Sequence, residues 1–249
     1  MTTKEEIEKY PYPRRRLPRR VSRWLAHAAF AVLSDLRIVG QENLPEGGPL
    51  LIVANHFDFA DPVAMIRATP WPLEFVGGFR TPNAPRWTKV LTKLWGFYPV
   101  YRGTASRDAL RAAEAVLAQS GVLGIFPEAG SWATVLRPPR PGAAFLATRT
   151  GAKILPMGFD GLPGIFPSLA KGKRARVTVR IGKPFGPVHT TGRGRARRRQ
   201  LDEIGDQIMR RIADLIPPEK HGHYSDDPAI RAAAKGTEMY PWEDEPDYL

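Results

Sequence analysis

Strand-length apolar runs alternate with helix-length stretches along most of this 249-residue chain, and that rhythm limits the possible folds more than any other feature. The runs are LRIVG, LLIVA, LEFVGG, FYPVY, VLGIF, KILPMGF and ARVTVRIG. Between many of them lie PVAMIRA, PRWTKVLTKLWG, SRDALRAAEAVLAQSG and PGAAFLATRTG, each of helical length. Such alternation predicts an α/β fold, a single domain with a mostly parallel central sheet flanked by helices. Runs that are apolar almost throughout predict a sheet covered on both faces. Ligands of such sheets bind beyond the carboxyl ends of the strands, so chemistry is expected just after LLIVA and VLGIF.

The main domain is expected over residues 36–216, with different compositions on either side. Residues 1–35 begin with a polar stretch and then YPYPRRRLPRR, where proline breaks helix and predicts an extended basic arm. VSRWLAHAAFAVLSDL follows as an N-terminal amphipathic helix. Trp24, Ala28 and Val32 recur one turn apart, with Leu25, Ala29 and Leu33 beside them. Two readings stay open: a helix packed on the domain, or a helix lying on a membrane with the arginines against lipid phosphates. TGRGRARRRQ predicts a basic loop leading into a last helix, LDEIGDQIMRRIADLI. Residues 217–249 form an acidic C-terminal tail, expected to be poorly packed or to wrap the surface.

The formal net charge is +12. From Ser225 onward seven acidic residues stand against Arg231 and Lys235, a net of −5 that leaves the rest of the chain at +17. A body this basic calls for an anionic partner: an anionic membrane surface, a phosphorylated substrate or nucleic acid. Nucleic acid is disfavoured, because the basic clusters lack interleaved aromatics on which bases would stack. The chain has no Cys, which excludes disulfides, thiolate nucleophiles and thiolate-bound zinc. No run approaches the roughly 18 apolar residues of a membrane span. Lys4, Glu5 and Glu6 precede no apolar signal-peptide core. The expected location is cytoplasmic, peripherally associated with the inner face of a membrane.

LLIVANHFDFADP, Leu50 to Pro62, carries the most pointed chemistry. LLIVA reads as a buried strand, with Asn55 and His56 at its carboxyl end. Pro62 suits the first position of a helix and Asp61 suits its N-cap. On one continuous helix, residues five apart would point about 140° away from each other. A strand–loop–helix path can instead fold Asp61 back onto the His56 ring, leaving one carboxylate oxygen to cap the helix. An imidazole held by a carboxylate is a good general base near neutral pH. Asp58 is a rival partner. Taken alone, the pair fits a packed histidine as well as a catalytic one.

Three further blocks extend the pattern. VLGIFPEAG is another buried strand that ends in Pro127, Glu128 and Gly130. YPVYRG places Arg102 after a short strand, where a guanidinium fork suits phosphate. KILPMGFDG is a strand interrupted at Pro156. In this order NHFDFAD, FYPVYRG, FPEAGSW and ILPMGF resemble the glycerophosphate acyltransferase family, and within it the 1-acylglycerol-3-phosphate (lysophosphatidate) acyltransferases. The resemblance runs from about Leu36 to Pro187.

The resemblance implies acyl transfer from acyl-CoA or acyl carrier protein to the free hydroxyl of 1-acylglycerol-3-phosphate, giving phosphatidate, with no bound cofactor and no metal. It implies His56 as general base and Asp61 as its orienting partner. It implies Arg102 as a ligand of the acceptor phosphate, with Asn55, Glu128 and Gly130 in the substrate site. The chain departs from the family in its third block. Ala129 stands where Gly is usual and Gly130 where Thr is usual, and the Arg that normally follows is absent. Arg137, Arg80 and Lys89 are the candidates to replace it. Another lysophospholipid or glycolipid acceptor is the alternative that departure raises. A noncatalytic anionic-lipid-binding protein on the same fold is a further one, which a retained base and Glu128 oppose.

Overall fold

A computed structural model of the chain describes residues 2–77, 88–100, 107–237 and 239. In chain order they form helices α1 (Lys4–Lys9) and α2 (Arg16–Leu33), strands β1 (Ser34–Val39) and β2 (Leu50–Ala54), and helix α3 (Asp61–Ala68). Then come strand β3 (Glu74–Gly77), helix α4 (Thr88–Trp95), strand β4 (Tyr98–Pro99), helix α5 (Arg107–Ala118) and strand β5 (Val122–Ile125). Helix α6 (Gly142–Thr150), strand β6 (Lys153–Asp160), helix α7 (Ile165–Leu169), strand β7 (Ala175–Ile181) and helices α8 (Gly194–Ala213) and α9 (Pro228–Ala233) complete the order. Every predicted strand run forms a strand.

The strands make one sheet in the order β1-β7-β6-β2-β5-β3-β4. It is mostly parallel, with β2 at its centre between β5 and β6. The exception is the β6–β7 pair, which is antiparallel, so β7 and its parallel neighbour β1 run against the rest. All five residues of β2 are fully buried. Alternation along the strand sends Leu50, Ile52 and Ala54 to one face and Leu51 and Val53 to the other. The first set packs with Phe30 of α2 and Met65 and Ile66 of α3. The second packs with Leu146 of α6 and Ile208 and Ile212 of α8. A five-residue apolar run is thus explained by helices on both sides.

α2 passes into β1 with no intervening residue, and Ser34 Oγ donates to the Phe30 carbonyl across the junction at 2.9 Å. Ala26, Phe30 and the side chain of Arg19 face the domain. Most of the apolar stripe expected on this helix faces the other way, with Trp24 and Val32 68% and 69% exposed and Leu17 beside them at 72%, while Leu33 packs against the core. No helix among the described residues is long and apolar enough to cross a membrane.

The structure corrects three local expectations. The basic arm is not extended throughout, because α2 already begins at Arg16. Pro18 sits in its first turn, where backbone N–H groups have no intrahelical partner to lose. Several of the arginines assigned to lipid are turned inward. Arg19 makes a bidentate pair with Glu74, Nη1 to Oε1 at 2.5 Å and Nη2 to Oε2 at 2.7 Å, and both side chains are buried. Arg14 Nε joins the same carboxylate at 2.9 Å, and Arg23 donates to the carbonyls of Ile66, Thr69 and Trp71. The basic loop is largely helical, since α8 starts at Gly194 and Gln200 Oε1 accepts from the Thr191 and Gly192 amides before it. The described part of the acidic tail wraps the domain. Leu136 N donates to the Lys220 carbonyl, His223 N donates back to Leu136, and buried Tyr224 donates to Asp206.

Candidate active site

β2 ends at Ala54, and the next two residues lie at the carboxyl end of the central strand. Asn55 is fully buried. Its Nδ2 donates to the Phe159 carbonyl at 3.0 Å, and its Oδ1 accepts from the Phe159 amide at 2.7 Å. A side-chain amide matches a backbone peptide in both directions, so Asn55 extends the β2–β6 pairing past the strand end. The sequence reading placed Asn55 in the substrate site; the structure turns it inward as a clamp.

The chain then loops from His56 to Ala60 and enters α3. Asp61 is the first helical residue, and the N-cap is Ala60, which makes no side-chain cap. Asp61 therefore does not cap its own helix as expected. Its Oδ2 instead accepts from three donors: the His56 Nδ1 at 2.9 Å, the Phe57 amide at 2.7 Å and the Asp58 amide at 2.8 Å. Its Oδ1 is buried without a hydrogen-bond partner among the described residues. The helix N-terminus adds a favourable field for the carboxylate. These bonds cross the loop and fold it into the turn that brings residues five apart together. Asp58, the rival, accepts from the Ala60 amide at 2.8 Å instead, and its burial raises its carboxyl above the usual range.

The carboxylate can only accept, so Nδ1 carries the ring hydrogen and the lone pair stands on Nε2. Nε2 has no hydrogen-bond partner among the described residues, and the His56 side chain keeps 14% of its surface exposed. The Phe126 ring, just past β5, stacks on the imidazole at 4.2 Å between centroids and 22° between planes. Carboxylate on one edge and aromatic ring on one face together fix the orientation of His56. Phe126 was not singled out in the sequence, although it opens the FPEAGSW block.

Glu128, from the adjacent strand end, meets His56 through the backbone. Its Oε1 accepts from the His56 amide at 2.9 Å, while its Oε2 accepts from the Arg137 amide at 3.2 Å and lies 3.3 Å from Arg137 Nε. Burial pushes the Glu128 carboxyl up to about 7 against the pull of Arg137 and the two amides. Arg137 is 2% exposed; it donates to the Gly130 carbonyl and its guanidinium lies 3.8 Å from the centroid of the Trp132 ring. Gly130 is where that ring fits, because a Cβ there would come within 2.0 Å of it. The amides of Phe57 and Asp58 are both bonded to Asp61 and so are not open to a ligand in this arrangement. His56, Asp61, Glu128, Gly130 and Arg137 are thus brought together, with Asn55 beneath them. Arg80 and Arg102 lie outside the described residues, and so does the side chain of Lys89. No cluster of His, Asp or Glu suited to a metal occurs among the described residues.

The central strand of a covered, mostly parallel sheet thus delivers a His–Asp pair, backed by a Glu from the next strand. Residues 35–160 match the Acyltransferase family, and the chain belongs to it. Among solved structures, the 1-acyl-sn-glycerophosphate (LPA) acyltransferase PlsC from Thermotoga maritima shares the fold, with a TM-score of 0.53 and 20% identity over 83% of this chain and 86% of that one.

Proposed function

We propose that the protein transfers a fatty acyl group from the thioester of acyl-CoA or acyl carrier protein to the free hydroxyl of 1-acylglycerol-3-phosphate, yielding phosphatidate. The observation that carries this reading is the 2.9 Å contact between His56 Nδ1 and Asp61 Oδ2, which leaves Nε2 without a partner among the described residues. Nε2 takes the hydroxyl proton as the alcohol oxygen attacks the thioester carbonyl. The tetrahedral intermediate collapses, the C–S bond breaks, and the imidazolium returns its proton to the departing thiolate. An activated thioester needs no covalent enzyme intermediate, which suits a chain without Cys. Asp61 stabilises the imidazolium and keeps Nε2 aimed at the acceptor.

The exposed apolar stripe of α2 supports a peripheral position on an anionic membrane at its cytoplasmic, inner face, where acceptor and product both reside. Leu17, Val21, Trp24 and Val32 would enter the interfacial layer, while Arg14, Arg19 and Arg23 hold the helix to the domain.

One observation favours a different acceptor within the same reaction: Arg137, the candidate replacement arginine that lies among the described residues, is buried and faces Glu128. Another lysophospholipid or a glycolipid alcohol would then be the substrate. Mass spectrometry of products from acyl-CoA with lysophosphatidate, and with a panel of other acceptors, decides between them. Absence of any acylated product while the protein still binds vesicles would leave a lipid-binding role instead.

A further inference from the structure

We propose that Arg137 is a positioning residue for His56, acting through Glu128 rather than on the substrate. The inference rests on the acyl-transfer reading of the site and deepens it. Glu128 bridges two elements with one carboxyl: Oε1 receives the His56 amide, and Oε2 receives the Arg137 amide and faces Arg137 Nε. Both side chains are almost wholly buried, Glu128 at 1% and Arg137 at 2% exposed. A carboxylate there without its cation is an uncompensated buried charge, which relaxes by taking a proton, admitting water or moving. Each of those changes reaches the peptide that carries the base, and a shift of about 1 Å there can cost on the order of 100-fold in rate.

The altered third block holds Arg137 in this role. Its guanidinium donates to the Gly130 carbonyl and stacks on Trp132, and Gly130 leaves the space that the Trp132 ring fills. Trp132 is fixed in turn by its Nε1, which donates to the Thr237 carbonyl at 2.7 Å. Residues 128–137 are therefore tied to one another and to Thr237 behind the base. In this block the chain has space at Gly130, an indole ring and a buried guanidinium.

The test uses the full-length protein with acyl-CoA and lysophosphatidate, or whichever acceptor the product analysis identifies. Arg137→Met is expected to lower kcat by about 30-fold or more while KM for the acceptor stays within about 2-fold. Adding Glu128→Gln to Arg137→Met is expected to recover about 5-fold or more of that loss, because the amide leaves no buried charge and its carbonyl still accepts from His56. A purely structural role would not give that rescue at a temperature where both variants are folded by circular dichroism. If Arg137→Met does not fold, Arg137→Lys is read by the same criterion: its ammonium lacks the planar fork, so kcat is expected to fall about 3- to 10-fold at constant KM. A raised acceptor KM with kcat retained marks Arg137 as a substrate ligand and overturns the proposal, as does an unchanged kcat or a double variant no better than the single. Wild-type activity that His56→Ala abolishes upholds the acyl-transfer reading whatever Arg137 does. A wild type inactive towards every acceptor removes both.

Discussion

Nδ1 of His56 and Oδ2 of Asp61 lie 2.9 Å apart, and the same oxygen accepts from the amides of the two residues after His56. One carboxylate therefore sets both the ring and the loop that carries it. His56→Ala is expected to lower transfer by roughly 100- to 10,000-fold with little change in melting temperature. Asp61→Asn is expected to lose both activity and stability: its carbonyl oxygen can still take the three donors, but the neutral amide no longer stabilises the imidazolium and its NH2 falls at the buried Oδ1 position, which has no hydrogen-bond partner among the described residues. Steady-state rates and thermal denaturation of the two variants check this, and normal turnover by His56→Ala would sink the mechanism.

Arg19 and Glu74 bind the first long helix to the sheet through a buried, bidentate ion pair. Removing Glu74 alone strands the Arg19 charge in the interior and is expected to cost about 3–5 kcal/mol, whereas removing Arg19 alone leaves Glu74 paired with Arg14 and is expected to cost less. Arg19→Met with Glu74→Met is expected to cost less than Glu74→Met alone. Urea denaturation of the single and double variants measures the coupling.

Burial holds the Glu128 carboxyl up to about 7, above its ordinary value of 4.5. Between those values the native state keeps a proton that the unfolded chain has released, so this group's stabilising contribution is full in acid and lost as pH rises through the window. The stability difference between wild type and Glu128→Gln is expected to move against wild type by up to about 3 kcal/mol from pH 4.5 to pH 7.5. Denaturation curves at half-unit pH steps test it, and a flat difference would mean that the carboxyl is ionised throughout.

Gly130 and Trp132 are fitted to each other, since a Cβ at 130 meets the indole ring at 2.0 Å. Gly130→Ala is expected to cost about 1–3 kcal/mol by overpacking. In a Trp132→Leu background that cost should largely vanish. A double-variant cycle read by thermal denaturation gives the answer.

Trp24 and Val32 are expected to hold the protein on lipid. Trp24→Glu and Val32→Glu should each weaken partitioning onto anionic vesicles by about 10-fold or more, with the melting temperature unchanged, because neither side chain packs on the domain. Sedimentation with vesicles of phosphatidylglycerol and phosphatidylcholine measures this. Equal binding by both variants would move the docking surface elsewhere.

The strands were legible because each is a short apolar run whose neighbours in sequence are also its partners in layering; LLIVA can only be a strand buried on both faces. The His–Asp meeting was legible from Pro62, which forces a new helix to begin close behind the loop. What stayed hidden depends on distant partners. Glu74 reads as a stray charge in LEFVGG until Arg19, 55 positions earlier, closes on it. Arg137 reads as a replacement phosphate ligand until Glu128 and Trp132 are seen to enclose it. The start of α2 was misread because Pro18 looks like a breaker and is instead in a first turn, where proline does no harm.

The junction of α2 with β1 contains no hinge. A helix that continues directly into an edge strand transmits its tilt to the sheet, as a keel sets the attitude of a hull. On any surface where α2 lies down, the whole domain takes one heading, and the height of the His56 loop above that surface is set by how deeply Trp24 and its neighbours sink. A few flexible residues inserted between Leu33 and Ser34 would leave any such contact of α2 intact and set the His56 loop adrift from it.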